Sequence, residues 1–350
     1  MELTISKRDF VRGLARTHGV ADRKSSMPIL SNVLLTTEGP TSLRFASTDL
    51  YISTSSITPA EVKKGGSVAL GARVLFDIVK ALPEGDVKLV VGDQHAARIA
   101  CGKVQYRIVG MPGEDFPALP DPGRATFSDV DAAALGDLIA KTSFSMSTDE
   151  TRPHLSGALF EGEGKLLRMV TTDGHRLSKA ERKVESAAML NFDMLLPHKG
   201  VGELRRLLDD LVGGKGESKP IVSVAVSGGN AFFKCDSVLL SAKLVEAKFP
   251  PYGQVIPNGF ERRVIVGRAG LVEALRRIAL VASDRAGGVR LKLAPGKISV
   301  SSENPDVGEG SEELEVDYAG GELNIGFNAR YLLDALSALG EDDIAIELSG

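Results

Sequence analysis

Cysteine is rare in this sequence and tryptophan is absent. Among 350 residues there are two cysteines, Cys101 and Cys235. Neither has a neighbouring Cys or His at metal-ligand spacing, so a disulfide framework and a thiolate metal site are excluded. Two isolated cysteines are typical of a reducing compartment. We expect both to be buried as small hydrophobic residues, and we expect the protein to bind no metal and no cofactor.

Long apolar runs are missing as well. No segment approaches the uninterrupted apolar length that a membrane span requires, and residues 1–4 lack the charged-then-apolar layout of a signal peptide. The sequence therefore predicts a cytoplasmic protein without a membrane partner.

The chain also lacks an excess of basic charge. Its formal net charge is −4, whereas proteins that coat nucleic acid by bulk electrostatics are usually strongly basic. The six helices predicted below nevertheless carry a net positive charge together, so the other residues hold the negative excess. If those helices share one surface, a mildly basic lining would contact phosphates without reading bases.

One order of secondary-structure signals occurs three times along the chain. Each copy begins with a short strand and an amphipathic helix, continues with a hairpin, and reaches another strand and a second helix. Ser6 and Ser128 stand where N-cap hydroxyls are expected. The predicted helices span 6–18, 72–82, 128–142, 198–211, 267–279 and 329–339, and the predicted hairpins join 29–37 to 42–48, 154–160 to 166–172, and 288–293 to 297–302.

Proline-containing connectors at Leu119-Pro120-Asp121-Pro122 and Ile256-Pro257-Asn258 separate the copies. We therefore predict an α+β fold of three tandem modules, 1–122, 123–257 and 258–350, with helices on one face of antiparallel sheets. Residues 333–350 align with 76–92 of the first copy. The third module is thus expected to lack the counterpart of 93–112, its last hairpin.

No catalytic motif of high specificity occurs. The sequence has no Gly-x-x-x-x-Gly-Lys-Ser/Thr loop, no Gly-x-Ser-x-Gly elbow and no His-Glu-x-x-His pair. Asp173 and His175 could form the acid/base couple of a hydrolase, which stays open as an alternative. The first copy has Thr48-Asp49-Leu50 at the equivalent place, so a turn whose Asp accepts backbone N–H groups explains Thr172-Asp173 better. We predict no catalytic residues and no enzyme activity.

Several motifs along the whole chain match one known family. They are Met27-Pro28-Ile29-Leu30-Ser31-Asn32, Thr48-Asp49-Leu50, Leu82-Pro83-Glu84-Gly85, Thr172-Asp173-Gly174-His175-Arg176-Leu177, Lys199-Gly200, Lys248-Phe249-Pro250-Pro251-Tyr252, Gly288-Val289-Arg290-Leu291, Gly326-Phe327-Asn328 and Tyr331-Leu332-Leu333. With these motifs in this order along the chain, the sequence resembles the β subunits of bacterial DNA polymerase III, the β sliding clamp family. Thr-Asp-Gly-His-Arg-Leu and Lys-Phe-Pro-x-Tyr are the most specific of these motifs.

The resemblance implies a DNA clamp fold and a homodimer, in which two chains of three modules join head to tail in a ring around duplex DNA. Helices line the hole of such a ring, and they contact the DNA independently of sequence. The matching DNA-facing positions are Lys24, Arg73, Lys80, Arg152, Lys199 and Arg205. At the ring interface the resemblance pairs Tyr106 and Ile108 of module 1 with Leu280 and Val281 of module 3.

A partner-peptide groove between modules 2 and 3 is also implied. In this family it accepts short hydrophobic peptides from DNA polymerase III subunits, the clamp loader and repair polymerases. The matching residues are Leu155, Thr172, Gly174, His175, Arg176, Leu177, Pro250, Val255, Asn328 and Tyr331. Arg176 and His175 would offer donors to the peptide backbone. A clamp-like accessory or inhibitor-resistance paralogue, which binds partners without encircling DNA, remains an alternative.

Overall fold

The structure, a computed structural model, describes residues 1–22, 24–149, 151–184, 189–212, 220–257, 259–282 and 288–349. The chain forms two compact units. Unit 1 comprises Met1–Ile139, Asp149–Val170 and Glu181–Ala247, and unit 2 comprises Ala140–Thr148, Thr171–Ala180 and Lys248–Gly350. Asn258 and Gly350, at the limits of the predicted third module, lie outside the described residues.

Within the described residues there are six α-helices, one for each helix predicted from the sequence. Their bounds are α1 Lys7–Thr17, α2 Ala72–Ala81, α3 Ala132–Thr142, α4 His198–Val212, α5 Arg268–Ile278 and α6 Ala329–Ala338. Short 3-10 helices lie at Pro28–Ser31, Asp93–His95, Gly113–Asp115, Ser143–Ser145, Tyr252–Gln254 and Ala279–Val281. No helix among these residues is both long and apolar enough to cross a membrane.

The first ten strands belong to two antiparallel sheets of unit 1. They are β1 Glu2–Ser6, β2 Asn32–Glu38, β3 Ser42–Thr48, β4 Ile52–Pro59, β5 Glu61–Lys64, β6 Ser67–Gly71, β7 Asp86–Val91, β8 Ala96–Cys101, β9 Val104–Val109 and β10 Met111–Pro112. One sheet has the order β5-β1-β7-β8-β9, with β9 at its edge. The other contains β10-β6-β2-β3-β4 and continues into strands of the second repeat.

The second repeat supplies eight strands. They are β11 Ser128–Asp131, β12 Gly157–Gly164, β13 Leu166–Thr172, β14 Leu177–Lys183, β15 Leu190–Pro197, β16 Ile221–Ser227, β17 Asn230–Cys235 and β18 Val238–Lys243. Strand β18 pairs with β4 from Val238 opposite Ser56 to Ala242 opposite Ile52. This pairing produces a nine-stranded sheet with the order β10-β6-β2-β3-β4-β18-β17-β16-β11. The remaining strands form the order β14-β13-β12-β15.

Unit 2 contains the last six strands. They are β19 Arg262–Gly267, β20 Gly288–Ala294, β21 Lys297–Asn304, β22 Gly308–Glu315, β23 Leu323–Asn328 and β24 Asp343–Leu348. Four of them have the order β22-β21-β20-β23, and β19 pairs with β24. Strand β24 follows α6 and pairs with β19 as β7 follows α2 and pairs with β1. Within the described residues, α6 and β24 therefore correspond to α2 and β7, as the alignment of the third copy with the first predicts.

Helix α1 shows how the sequence pattern produces packing. Phe10 and Leu14 lie one turn apart and are fully buried, which stabilises the fold by roughly 1.5–3 kcal/mol per side chain. The Phe10 and Phe45 rings have centroids 5.8 Å apart. A Cβ at Gly13 would lie 2.5 Å from a Phe45 ring carbon, so α1 approaches β3 closely only because residue 13 has no side chain. Arg8 and Arg12 are exposed on the opposite face, whereas the Arg16 side chain is mostly buried and donates to Asp210 Oδ2 at 2.9 Å.

Several predicted details are wrong. Ser128 does not cap a helix but begins β11, and residues 125–127, the position of the short strand expected before the first helix of the second copy, have no regular structure. Helix α3 begins four residues later, where the Asp131 carboxylate accepts the Ala133 N–H at 2.7 Å. Residues 29–31 belong to a 3-10 helix that precedes β2. The α+β class with antiparallel sheets is confirmed.

Both cysteines are free and buried, as predicted. Burial raises the pKa of the Cys235 thiol to about 11, and the nearby Asp236 carboxylate raises it as well. The thiolate is the nucleophilic form, so this side chain is inert at neutral pH.

Candidate functional site

The turn between β13 and β14 is fixed by its own Thr and Asp side chains. Thr172 Oγ1 donates to the Arg176 carbonyl at 2.7 Å and accepts the Gly174 N–H at 3.1 Å. Asp173 Oδ1 accepts the N–H groups of His175 at 2.9 Å and of Arg176 at 3.0 Å. Gly174 has a φ of 91°, a conformation that favours glycine. The structural reading of Thr172-Asp173 is thus confirmed by its hydrogen bonds.

Arg176 joins this turn to two other segments of unit 2. Its guanidinium donates to Asp173 Oδ2 at 3.1 Å, to Asp334 Oδ2 at 2.7 Å and to the Phe144 carbonyl at 2.6 Å. The same group lies over the Tyr331 ring, 4.4 Å from its centroid, and over the Phe144 ring at 5.5 Å. Stacking on aromatic rings and donation to several acceptors in one plane both suit a planar guanidinium. Each guanidinium nitrogen is therefore already engaged, and Arg176 positions the turn against α6.

The Asp173 carboxyl is held in its ionised form. Partial burial raises the pKa of Asp173, but the backbone N–H groups of His175 and Arg176 and the Arg176 guanidinium outweigh it. The net result is a pKa below the usual value. A carboxylate that accepts three hydrogen bonds within its own turn serves as a structural acceptor, which disfavours the hydrolase alternative.

The other predicted groove residues have different local roles. Asn328 caps α6, because its side chain accepts the Arg330 N–H at 2.9 Å. Pro250 and Val255 lie in the segment around the 3-10 helix Tyr252–Gln254, and Val255 is 68% exposed. Leu177 is half-buried at the start of β14. Leu155 is buried within unit 1. Arg176 brings Tyr331 of α6 against the turn that spans residues 172–177.

Two residues of this arrangement were missed in the sequence. Asp334 and Phe144 complete the surroundings of Arg176. A partial signal existed for Asp334, which follows Tyr331 by three residues on α6 and so lies on the same face of the helix. Phe144 lies just beyond α3, and nothing in its local pattern indicates a partner 32 residues away.

The predicted DNA-facing cations are exposed or partly exposed, and three have local anionic partners. Arg73 pairs with Asp77 at 3.6 Å on α2, Arg152 pairs with Asp149 at 2.8 Å, and Lys199 pairs with Asp49. The Lys80 ammonium lies 5.9 Å from the centroid of the Phe76 ring. The exposed members are Lys24, Arg73, Lys80, Lys199 and Arg205.

The residues predicted for the ring interface are found at edges and on exposed turns. Tyr106 and Ile108 lie on β9, the edge strand of the five-stranded sheet in unit 1. Leu280 and Val281 belong to the 3-10 helix Ala279–Val281 in unit 2, and Leu280 is 81% exposed. An edge strand offers unpaired backbone groups to another chain.

Repeated α/β units with antiparallel sheets and edge strands define a modular scaffold. Among the described residues there is no group of three or more His, Cys, Asp or Glu side chains that could hold a metal ion. Family models of the three domains of the DNA polymerase III beta subunit match nearly all of this chain. The N-terminal domain model matches residues 1–120, the central domain model 129–251 and the C-terminal domain model 253–350.

Individual relatives agree with these matches. The beta sliding clamp of Pseudomonas putida is 33% identical over 351 residues, which cover 100% of this chain and 93% of that protein. The beta sliding clamp of Caulobacter vibrioides is 35% identical over 340 residues, 95% of this chain and 89% of that protein. The crystal structure of the DNA polymerase III subunit beta from Pseudomonas aeruginosa has a TM-score of 0.93 at 32% identity, with 100% and 93% of the chains covered.

The chain therefore belongs to the DNA polymerase III β subunit family, the β sliding clamps. Its function is that of a sliding clamp, a processivity factor rather than an enzyme.

Proposed function

We propose that two copies of this chain join head to tail in a ring that encircles duplex DNA and tethers DNA polymerase III. The proposed modules are 1–122, 123–257 and 258–350. The observation that carries the proposal is the similarity to β sliding clamps along the whole chain. A closed ring retains DNA by topology, so its lining needs only weak contacts with phosphates.

The exposed cations fit this kind of contact. Lys24, Arg73, Lys80 and Lys199 have long side chains that reach phosphate oxygens and carry no base-reading geometry. Local ion pairs at Arg73 and Lys199 moderate their attraction for the polyanion. Contacts that are individually weak permit sliding, which tight binding would prevent.

The turn held by Arg176 supports a groove for short hydrophobic peptides. We propose that Tyr331, Leu177, Pro250 and Val255 contribute apolar surface, and that Arg176 fixes the shape of the turn beside them. Peptides from DNA polymerase III subunits, the clamp loader and repair polymerases are the proposed ligands. A preformed groove binds more tightly than a mobile one, because less conformational entropy is lost on binding.

Retention on DNA of different topology tests the ring. The protein is loaded by a clamp-loader ATPase onto nicked circular duplex DNA, and the bound fraction is followed before and after one restriction cut. A ring stays on the circle and slides off the linear product quickly. Equal dissociation rates from circular and linear DNA would contradict encirclement, and a loading reaction without ATP is the control.

A further inference from the structure

Helix α4 carries Lys199, Glu203 and Arg206 at positions i, i+4 and i+7, so the three side chains share one face of the helix. Lys199 is one of the predicted DNA-facing cations, and Arg206 lies two turns further along the same face. The two cations are 49% and 41% exposed, whereas the Glu203 side chain between them is only 14% exposed. A mostly buried acid therefore interrupts a face that is otherwise cationic.

The Arg206 guanidinium is held between Glu203 and the end of α1. Its Nη2 atom donates to Glu203 Oε2, and its Nη1 atom packs against Gly19, which lies two residues beyond α1. A Cβ at Gly19 would lie 1.6 Å from Nη1 and 2.5 Å from Cζ of Arg206, so only glycine at position 19 permits this contact. Glu203 thus fixes the guanidinium in a place that the end of α1 leaves open for it.

The charged groups around Glu203 come from three elements. They are Lys199, Arg206, Asp209 and Asp210 of α4, Arg16 and His18 at the end of α1, and Asp49 of the turn between β3 and β4. Strands β4 and β18 border the same recess of about 320 Å³, and their described residues contribute no charged side chain to it. Arg16 donates to Asp210 at 2.9 Å, and Lys199 pairs with Asp49. Within the described residues, Arg206 is therefore the cation that pairs with Glu203.

The surroundings of Glu203 favour proton uptake. Burial raises the pKa of this carboxyl above its usual value, and the Asp49 carboxylate raises it as well. Arg206, Lys199 and His18 lower the pKa of Glu203 but do not outweigh burial. When the carboxyl is protonated, the guanidinium beside it keeps its charge, because arginine does not deprotonate in proteins. This face of α4 then has one more positive charge than at high pH.

We propose that Glu203 is a positioning residue of the α4 face that contacts DNA: its carboxylate holds Arg206 against Gly19 and neutralises it, and proton uptake by Glu203 makes this charge available to phosphates. This role rests on the proposed function, a ring that encircles DNA. A further phosphate contact strengthens binding without reading bases. Phosphates near Arg206 in turn favour the protonated carboxyl, so proton uptake and DNA contact reinforce each other.

Sliding of loaded rings on stretched duplex DNA tests the proposal. The full chain carries a dye at its C-terminus and is loaded by the clamp-loader ATPase. Its diffusion coefficient is measured from about pH 8 to about pH 5.5, where a glutamic acid with a raised pKa titrates. We expect the wild-type ring to slide about two-fold more slowly at the acidic end, as for one solvent-exposed ion contact. Glu203→Gln, a neutral equivalent of the protonated carboxyl, is expected to slide slowly at every pH.

Arg206→Gln separates this role from a structural one. It removes the charge itself, so its ring is expected to slide fast at every pH, which is the opposite of Glu203→Gln. A loss of packing at α4 would shift both variants in the same direction. Glu163→Gln, exposed on β12, is the matched control and is expected to keep the wild-type pH profile. Chemical denaturation verifies that each variant is folded.

Retention on circular DNA is measured with the same preparations. Retained rings whose pH profile persists in Glu203→Gln, or whose two variants shift in the same direction, overturn the role of Glu203 and leave the ring intact. A wild-type protein that is not retained on circular DNA overturns both the ring and the role of Glu203.

Discussion

Arg176 holds three segments of unit 2 together, and Asp334 is its most distant partner in the sequence. The ion pair joins residues 158 positions apart and is mostly buried on the Arg176 side. If the Asp334 carboxylate is removed, the mostly buried Arg176 guanidinium loses an acceptor. The resulting loss of stability is larger than the loss on removing one partner of an exposed ion pair. The shape of the turn after β13 is therefore expected to depend on a residue outside the family motif.

Asp334→Asn is predicted to destabilise unit 2 by about 1.5–3 kcal/mol, the usual contribution of a hydrogen bond to a charged group. Chemical denaturation measures the change, and a double-mutant cycle with Arg176→Gln isolates the coupling. Asp306→Asn, on the exposed turn between β21 and β22, is the control. Additive effects of the Asp334 and Arg176 variants would refute the role of this pair.

The pKa of Asp173 predicts how stability depends on pH. The folded pKa lies below the usual value, so the contribution of Asp173 is present above the unfolded pKa and is lost as pH falls through the folded pKa. Acid titration of the unfolding midpoint is expected to show a decline below about pH 4 that Asp173→Asn makes shallower. An unchanged acid profile in that variant would contradict the prediction.

The repeat made the Thr-Asp turn predictable from sequence, because two copies share residues whose side chains accept local N–H groups. The partners of Arg176 were not predictable. Asp334 and Phe144 are brought to it by tertiary packing, and a local pattern carries no information on such distant contacts. Each Arg176 nitrogen donates one hydrogen bond inside the protein, and the expected donation from Arg176 to a peptide backbone stays a prediction.

At the level of elements, helix caps separate correct predictions from wrong ones. Ser6 Oγ accepts the Asp9 N–H at 3.1 Å, so the predicted cap of α1 is confirmed. Ser128 has the same residue type before a helix, but it lies in β11 opposite Val224. Pairing with β16 overrides the weak strand preference of Ser-Asp-Val-Asp, and the cap moves to Asp131.

Ser6→Ala is predicted to destabilise unit 1 by about 1 kcal/mol, because a helix N-cap is lost. Ser128→Ala is the matched control, since this serine caps no helix, and its effect is expected to be a small fraction of that value. Thermal and chemical unfolding of both variants provide the comparison. Equal losses in the two variants would show that the cap of α1 contributes nothing specific.

Most strands were predictable because alternation and turn residues are local signals, as the hairpin of β20 and β21 shows. Their partners were less predictable. The pairing of β4 with β18 joins segments almost two hundred residues apart, and neither strand indicates the other by its pattern. The sequence predicted three tandem modules without this pairing, whereas the structure joins strands of the first two repeats in one nine-stranded sheet.

For the whole molecule, the proposed interface makes a prediction about assembly. Leu280→Asp places a charge on a side chain that is 81% exposed in the single chain, so folding is expected to be unaffected. If Leu280 packs against a second copy, the dimer weakens by about 2 kcal/mol, roughly 30-fold in its dissociation constant. Light scattering over a dilution series measures this constant.

Val307→Asp is the control for that experiment, because Val307 is also exposed in unit 2 but belongs to the turn between β21 and β22. It is expected to leave the dimer unchanged. Dimers of equal strength in both variants would place the interface elsewhere.

The ladder from Val238 opposite Ser56 to Ala242 opposite Ile52 has a mechanical consequence. Tension directed along β4 and β18 loads all the backbone hydrogen bonds between them at once, and bonds loaded in shear resist rupture better than bonds opened one by one. The junction of the first two repeats is consequently stiff, and a force applied to either repeat is transmitted to the other with little extension of the chain between them.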